Sequence, residues 1–175
     1  MKHALLGTVL SALVGTTAMA QDTPKYFDGF FVGGDAGITD DGDFYYGAHG
    51  GYRVQTDNDF VYGIEGTFGS IDASDSFGRV SAEIDNVWSA SAFVGLPFGK
   101  DRKNLWTVGG GFTQINASAT AAGIEVSEGF SGFRASTGYE RVLSDTVRLR
   151  FQGNYANYEQ GVDGLTFTGG FTFAF

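Results

Sequence analysis

The sequence predicts an all-β fold, an eight-stranded antiparallel up-and-down transmembrane β-barrel. The clearest observation is the last stretch, residues 163–175, in which Leu and Phe alternate with Thr, Gly and Ala. An extended segment with this period of two has one apolar face and one small or polar face. The same period recurs along the chain with no helical period between the repeats. Because the second face is too polar and too rich in glycine to contact lipid, the apolar faces are predicted to point outward into a bilayer.

Eight segments carry this alternation. The predicted strands are residues 30–38, 44–54, 60–69, 80–96, 105–115, 132–140, 147–155 and 165–175. Clusters of Asp, Asn, Ser and Gly separate them, as expected of turns. The predicted short turns are residues 55–59, 97–104 and 142–146, and the predicted loops at the other end are residues 39–43, 70–79, 116–127 and 158–164. Most of the segments are close to the ~9–11 residues of a tilted membrane-spanning strand.

The first twenty residues are predicted to be a secretory signal. Lys2 and His3 form a basic start, residues 4–14 are apolar, and residues 18–20 read Ala-Met-Ala before Gln21. This order of basic, apolar and small residues is typical of a cleaved signal peptide. The alternative, a membrane-spanning helix, is disfavoured because the segment is short and diluted by Gly, Ser and Thr. The sequence therefore predicts a signal at residues 1–20 and a barrel domain at residues 21–175.

Composition excludes several classes of function. The chain of 175 residues has a formal net charge of −9, and loss of Lys2 with the signal would make it −10. Such a charge argues against binding to nucleic acid. The chain has no cysteine, which excludes a disulfide framework, a thiolate metal site and a Cys nucleophile. Its 28 glycines lie inside alternating segments beside Phe and Tyr, so they indicate a packed barrel rather than disorder.

The inward parity of the predicted strands collects ionisable side chains. They are Asp35, His49, Arg53, Glu65, Glu83, Asp85, Arg134, Glu140, Arg148 and Arg150. The interior of an eight-stranded barrel is barely wide enough for side chains, and unpaired charges there are costly. We therefore expect the acids and bases to pair into a network that plugs the lumen. The alternative is a narrow polar pore lined by the same residues.

An enzyme is not predicted. His49 is the one histidine after the signal, so a hydrolase or acyltransferase would need it beside Ser89 or Ser91 and beside Asp35 or Glu65. No nucleophile motif accompanies these residues, and a lone histidine is more often a satisfied interior residue.

No metal or other cofactor is predicted either. Asp40, Asp41 and Asp43 form an acidic run, but the run lacks the spacing and the distal Glu of a Ca²⁺ loop. A solvated acidic turn is the simpler interpretation.

Three stretches carry a family resemblance. They are F-F-V-G-G-D-A-G at residues 30–37, Y-Y-G-A-H-G-G-Y-R at residues 45–53 and T-F-T-G-G-F-T-F-A-F at residues 166–175. With the signal, they resemble the small eight-stranded outer-membrane barrels of Gram-negative bacteria, the outer membrane protein A-like and opacity-type porin-like family. The resemblance implies a monomer in the cell outer membrane, with its N-terminus in the periplasm. The partners it implies are outer-membrane lipid, lipopolysaccharide and the outer-membrane assembly machinery, which would recognise Phe171, Phe173 and Phe175.

Members of such a family serve as adhesins, structural anchors, small pores and, in a few cases, enzymes, so the fold alone does not select a function. The function expected here is structural or surface interaction with a charged, largely plugged lumen. A small-solute porin-like channel is the alternative, and a lipid-modifying outer-membrane enzyme is the third possibility.

Overall fold

The fold is given by a computed structural model that describes residues 25–72, 74–77, 80–121, 124–161 and 163–175. Within these ranges, the side chains are described except at residues 74–77, 80–85, 117, 119–121, 124–128 and 160. The predicted signal at residues 1–20 lies outside the described residues. No helix in the described part of the chain is long and apolar enough to cross a membrane.

Almost all of the described chain is β-strand. The strands are β1 (Gly29–Thr39), β2 (Phe44–Gln55), β3 (Val61–Asp72), β4 (Ser74–Phe77), β5 (Val80–Phe98), β6 (Asn104–Ala121), β7 (Ile124–Val142), β8 (Val147–Tyr158) and β9 (Asp163–Ala174). A short 3₁₀ turn, Glu159–Gly161, lies between the last two strands. β4 is a four-residue continuation of β3 that pairs with the start of β5, so eight strands build the wall.

The wall is closed and every pairing in it is antiparallel. Consecutive strands are neighbours, β3 pairs with β5, and β9 returns to pair with β1. Register examples are Val61 opposite Gly95 and Phe31 opposite Ala174. This arrangement confirms the predicted up-and-down barrel, in which closure leaves no unpaired edge around the circumference.

The two faces of each strand follow the predicted alternation. In β1, Phe30 is 66% exposed whereas Phe31 is 1% exposed. Large apolar side chains on the outer face include Ile64, Phe68, Phe133, Phe151, Phe167 and Phe171. They surround the barrel with an apolar surface, and the inward face carries the polar and charged residues. The apolar surface matches the requirement of a protein that contacts lipid on its outside.

Three short turns lie at one end of the barrel, which we call the turn end. They are residues 56–60, 99–103 and 143–146. Two of them contain a non-glycine residue with positive φ, Asp59 at 63° and Arg102 at 54°. An Arg102–Asp59 ion pair of 2.8 Å joins these two turns. The opposite end is called the loop end.

The strands at the loop end are longer than the sequence predicts. The predicted loops at residues 70–79 and 116–127 are largely strand, because β3 and β4 extend into the first and β6 and β7 into the second. β5 has 19 residues, β6 has 18 and β7 has 19. A tilted span needs about 9–11 residues, so these three strands extend about eight residues beyond it as a ribbon. Beyond a bilayer the outward side chains need not be apolar, yet the backbone ladder continues. The alternation of Phe and Gly therefore ends before the strands do.

Candidate functional site

An ion pair between opposite walls occupies the middle of the lumen. Arg150 of β8 donates two hydrogen bonds to the carboxylate of Glu65 on β3, at 2.5 and 2.8 Å. Its Nη2 also donates to Oε1 of Gln152 at 2.6 Å. β3 and β8 are not neighbours in the wall, so the pair bridges the lumen. Two parallel bonds between a guanidinium and a carboxylate are the strongest geometry available to such a pair.

A second ion pair lies nearer the turn end. Arg53 of β2 donates to Oε2 of Glu140 on β7 at 2.9 Å. Arg53 is 1% exposed and Glu140 is 6% exposed. This pair also joins strands that are not neighbours, so it bridges the lumen at a second level.

His49 is held between two side chains. Its Nδ1 lies 2.7 Å from Oδ2 of Asp35, and its Nε2 lies 2.9 Å from Oγ1 of Thr172. The order carboxylate, imidazole and hydroxyl is that of a hydrolase triad. Thr172 is 0% exposed, however, so no substrate reaches its hydroxyl. The cluster satisfies the polar atoms of an interior histidine, as buried polar groups require.

The hydrolase alternative placed Ser89 or Ser91 next to His49. The structure instead places Thr172 at the second ring nitrogen, and Ser89 Oγ lies 2.7 Å from the hydroxyl of Thr67. Glu65, the other carboxylate considered, is bonded to Arg150. Of the residues that this alternative required, Asp35 is bonded to His49, but Thr172 takes the place predicted for a serine.

Arg134 is bound by neutral groups. Its guanidinium donates to Oδ1 of Asn154 at 2.6 and 3.0 Å, and to Thr67, Ser89 and Gln152 at 3.0, 2.6 and 3.3 Å. These five bonds engage all the N–H donors of an arginine. Arg134 therefore needs no carboxylate to be satisfied, and its charge remains as a positive contribution to the field in the lumen.

A polar cavity of about 50 Å³ adjoins Arg134 on the loop side. Its lining includes Asp35, Tyr45, Thr67, Gln152, Asn154, Tyr158 and Thr168. One water molecule needs about 10–15 Å³ of such volume, so the cavity has room for roughly three or four. We call this cavity the vestibule.

The ten residues of the sequence hypothesis have different placements. Six are nearly inaccessible: His49, Arg53, Glu65, Glu140, Arg148 and Arg150. The side chain of Asp35 is 6% exposed and Arg134 is partly buried. The side chains of Glu83 and Asp85 lie outside the described part. The register of β5 against β6 shifts between Ile84 and Asn86, so simple alternation does not extend through Asp85.

Several partners in the lumen were not among the predicted residues. Thr67, Gln152, Asn154 and Thr172 accept or share hydrogen bonds with the charged groups. Their inward parity was visible in the sequence, but the prediction selected ionisable residues and these four are uncharged. Phe27, which precedes β1 and is 0% exposed, was also missed. The only signal for it was a pair of aromatics, Tyr26 and Phe27, in an otherwise polar lead.

An exposed ion pair fixes the lead segment at the turn end. Lys25 Nζ lies 2.8 Å from Oδ1 of Asp57. This hydrogen-bonded contact raises the pKa of Lys25 above 10.5 and lowers the pKa of Asp57 below 3.8. The contribution of Lys25 is lost as pH rises through its raised pKa, and that of Asp57 is lost as pH falls through its lowered pKa. The pair is therefore intact throughout the neutral range.

No group of three or more His, Asp or Glu in the described part of the chain is arranged to hold a metal ion. Asp40, from the acidic run considered above, accepts a hydrogen bond from the backbone N–H of Leu165 at 3.1 Å. That carboxylate therefore joins the loop before β2 to the start of β9.

A closed antiparallel barrel with an apolar outside and a polar, charged inside is the architecture of a membrane-spanning β-barrel protein. The family model described as "Outer membrane protein beta-barrel domain" matches residues 6–175. The chain therefore belongs to the outer-membrane β-barrel domain family, which agrees with the resemblance found in the sequence and assigns the chain to the Gram-negative outer membrane.

Solved structures with the same fold include three bacterial barrels. Ail, the attachment invasion locus protein of Yersinia pestis, has 14% identity and a TM-score of 0.62 over 85% of this chain and 97% of Ail. Neisserial surface protein A has 18% identity and a TM-score of 0.60 over 83% and 97%. The N-terminal barrel of Pseudomonas aeruginosa OprF has 15% identity and a TM-score of 0.58 over 83% and 97%. Among curated protein sequences, none is significantly similar.

Proposed function

We propose that this chain is a structural or surface-interaction protein of the outer membrane, with a lumen that is closed to ions and solutes. The observation that carries the surface role is the ribbon formed by β5, β6 and β7 at the loop end. About half of each 18- or 19-residue strand is not needed to cross the bilayer. An ordered extension of the wall beyond the membrane offers a surface to a partner.

Two levels of ion pairing support the closed lumen. The Arg150–Glu65 and Arg53–Glu140 pairs cross the lumen between strands that are not neighbours. Opening a path would expose or separate these charges, and separating a buried pair costs about 3–5 kcal/mol. A second, small cavity beside Glu140 and Arg150 measures about 10 Å³, too little for a continuous column of water.

The chemistry of the surface partner follows from charge. A structure of Ail was solved with the heparin analogue sucrose octasulfate, a polyanion. The loop-end sequence of this chain is instead acidic, since residues 39–43, 70–86, 116–131 and 158–164 contain eleven Asp or Glu and one basic residue, Arg79. Long-range repulsion disfavours a sulfated polyanion and favours a partner with a basic surface.

The remaining assignments are part of the same proposal. Residues 1–20 would be cleaved during export, the turn end would face the periplasm, and the mature barrel would be a monomer surrounded by outer-membrane lipid and lipopolysaccharide. Phe171, Phe173 and Phe175 would be read by the assembly machinery. All three side chains are on the outer face, and Phe175 is 79% exposed.

A small-solute channel is the second candidate, and the vestibule beside Arg134 is the observation that favours it. A path would have to continue from this cavity through both levels of ion pairs. The lipid-modifying enzyme is not proposed, because the hydroxyl beside His49 is inaccessible.

The test is single-channel recording on residues 21–175 refolded into a planar bilayer. Folding is first established by the difference in gel mobility between unheated and boiled samples. We expect no discrete current steps from the folded barrel. Reproducible steps would replace the closed-lumen proposal with the channel.

A further inference from the structure

The segment before β1, residues 25–28, lies over the lumen at the turn end. Phe27 is 0% exposed and packs in one cluster with Val61 of β3, Leu105 of β6 and Val142 of β7. β6 and β7 are neighbours, and only β5 separates β6 from β3. The hydrogen bonds of the segment reach Gln55 of β2 and Arg148 of β8, so its contacts extend over five strands of the wall.

Backbone and side-chain hydrogen bonds hold the segment in place. The N–H of Phe27 donates to Oε1 of Gln55 at 3.0 Å, and the N–H of Gln55 donates to Oδ1 of Asp28 at 2.9 Å. The guanidinium of Arg148 donates to the carbonyl oxygen of Tyr26. With the Lys25–Asp57 ion pair, every residue of the segment has a specific partner on the barrel.

Two arginines lie directly behind Phe27. The guanidinium of Arg53 is 5.3 Å from the centre of the Phe27 ring and 4.8 Å from that of Phe31, and that of Arg148 is 5.9 Å from Phe27. Such contacts between cations and rings are favourable, but a ring is not a hydrogen-bond partner equal to an anion.

Both guanidiniums keep unused donors. Nε and Nη2 of Arg53 and Nε and Nη1 of Arg148 are buried without a hydrogen-bond partner, and the two residues are 1% and 4% exposed. Among the described side chains, Glu140 is the carboxylate bonded to either of them. Two buried cations therefore share one anion, and buried unpaired donors are rare enough to need an explanation.

We propose that residues 25–28 are a stopper over a small-anion site formed by Arg53 and Arg148. When the stopper leaves, Phe27 and the Tyr26 carbonyl are withdrawn and the donors of both arginines face the opening at the turn end. The anion class that fits is small and singly charged, such as a halide, a carboxylate or a sulfonate. This inference goes beyond the proposed function, since it concerns access from one end and not conduction through the barrel.

The test is the reactivity of a single thiol introduced as Val61→Cys. The chain has no cysteine, and Val61 is 0% exposed in the cluster with Phe27. It lies opposite Gln55, two positions nearer the turn end than Arg53, so a reagent can reach this thiol without crossing the Arg53–Glu140 pair. The probes are an anionic and a cationic methanethiosulfonate reagent of similar size, applied to the refolded barrel in detergent. Phe27→Ala removes the stopper side chain. Phe30→Ala is the matched control, because it makes the same change three residues later on the outer face, where Phe30 is 66% exposed.

We expect slow modification of the thiol when Phe27 is present and at least a tenfold faster reaction after Phe27→Ala, with no acceleration after Phe30→Ala. In the Phe27→Ala background the anionic reagent should react several-fold faster than the cationic one, and Arg148→Gln should reduce that preference. If Phe27→Ala does not give a folded barrel by gel mobility, Phe27→Leu replaces it, with an expected acceleration of at least threefold.

Rapid modification with Phe27 in place, or no acceleration in a folded Phe27 variant, would overturn the stopper. Acceleration with equal rates for the two reagents, or with preference for the cation, would overturn the anion site. Neither result depends on whether the wild-type barrel conducts, so a failure here is distinct from a failure of the closed-lumen proposal.

Discussion

Removal of one partner of the central ion pair should strongly destabilise the barrel. Arg150→Met keeps an unbranched side chain of similar length but deletes both bonds to Glu65. The remaining carboxylate is 8% exposed, so it cannot regain water without rearrangement of the lumen. Leaving one charge of a buried pair without its partner costs about 3–5 kcal/mol, which lowers the folding equilibrium constant by about two to four orders of magnitude.

Removal of both partners should cost far less. In the double variant Glu65→Leu with Arg150→Met, no buried charge is left alone and the volume of the lumen is nearly kept. Replacement of a whole buried pair by apolar groups is often neutral or stabilising. We therefore expect the double variant to be more stable than Arg150→Met by at least about 2 kcal/mol. If an unpaired buried charge causes the destabilisation, the double variant is the more stable of the two. If loss of packing causes it, the double variant is the less stable.

The assay is equilibrium unfolding in denaturant of barrels refolded into lipid vesicles, followed by tryptophan fluorescence and gel mobility. Arg141→Met is the matched control, since Arg141 is on the exposed turn-end rim and donates one bond of 3.1 Å to Asn104. Its expected cost is below about 1 kcal/mol. The argument is refuted if Arg150→Met is as stable as the control, or if the double variant is no more stable than the single one.

Two further predictions concern the wall and its assembly. Gly63→Ala should cost about 1–3 kcal/mol in the same unfolding assay, because its Cβ would lie 2.6 Å from the carbonyl oxygen of Tyr52 and 2.8 Å from a ring carbon of Phe93. Gly66→Ala on the same strand should be nearly neutral, since its Cβ meets nothing closer than 3.8 Å; equal costs for the two would contradict this account. Deletion of Phe175 should lower the amount of heat-modifiable barrel in outer-membrane fractions several-fold in cells while leaving refolding into detergent intact, and a parallel loss in both settings would count against an assembly signal.

The wall of the barrel was predictable from the sequence because each strand faces lipid on one side and the polar lumen on the other. Phe30 and Phe31 are chemically identical neighbours, yet one contacts the outside and the other fills the lumen. Only the parity of the surrounding Gly, Asp and Val assigns them to opposite faces. This signal persists wherever lipid lies on one side, and it gave the eight strands and their turns.

The loop end was predicted less well because its outer side faces water. Residues 116–121 read Asn-Ala-Ser-Ala-Thr-Ala, a composition typical of a loop, yet they pair with both neighbouring strands. A backbone ladder requires N–H and C=O groups rather than particular side chains. The register shift between Ile84 and Asn86 has the same cause, since a β-bulge leaves no mark in composition.

The pairing inside the lumen was not predictable from parity alone. Parity places Arg134 and Arg150 on the same face. Only the closed structure shows that Arg150 meets a carboxylate, whereas Arg134 donates to four neutral side chains. Contacts across a lumen depend on the stagger of strands that are not neighbours. Counting inward charges therefore proposes candidate members of the cluster but cannot predict which groups they bind.

The glycines explain how so small a lumen holds such large side chains. A Cβ on Gly51 would lie 2.8 Å from the ring of Phe31, and one on Gly69 would lie 2.8 Å from the ring of Tyr45. Gly51 and Gly69 thus leave the volume that the rings of Phe31 and Tyr45 occupy. Replacing the large residue empties space that the glycine cannot fill, and replacing the glycine displaces the large residue. The packing of the lumen is therefore a property of paired positions on adjacent strands, so single substitutions on either side of a pair should both disturb it.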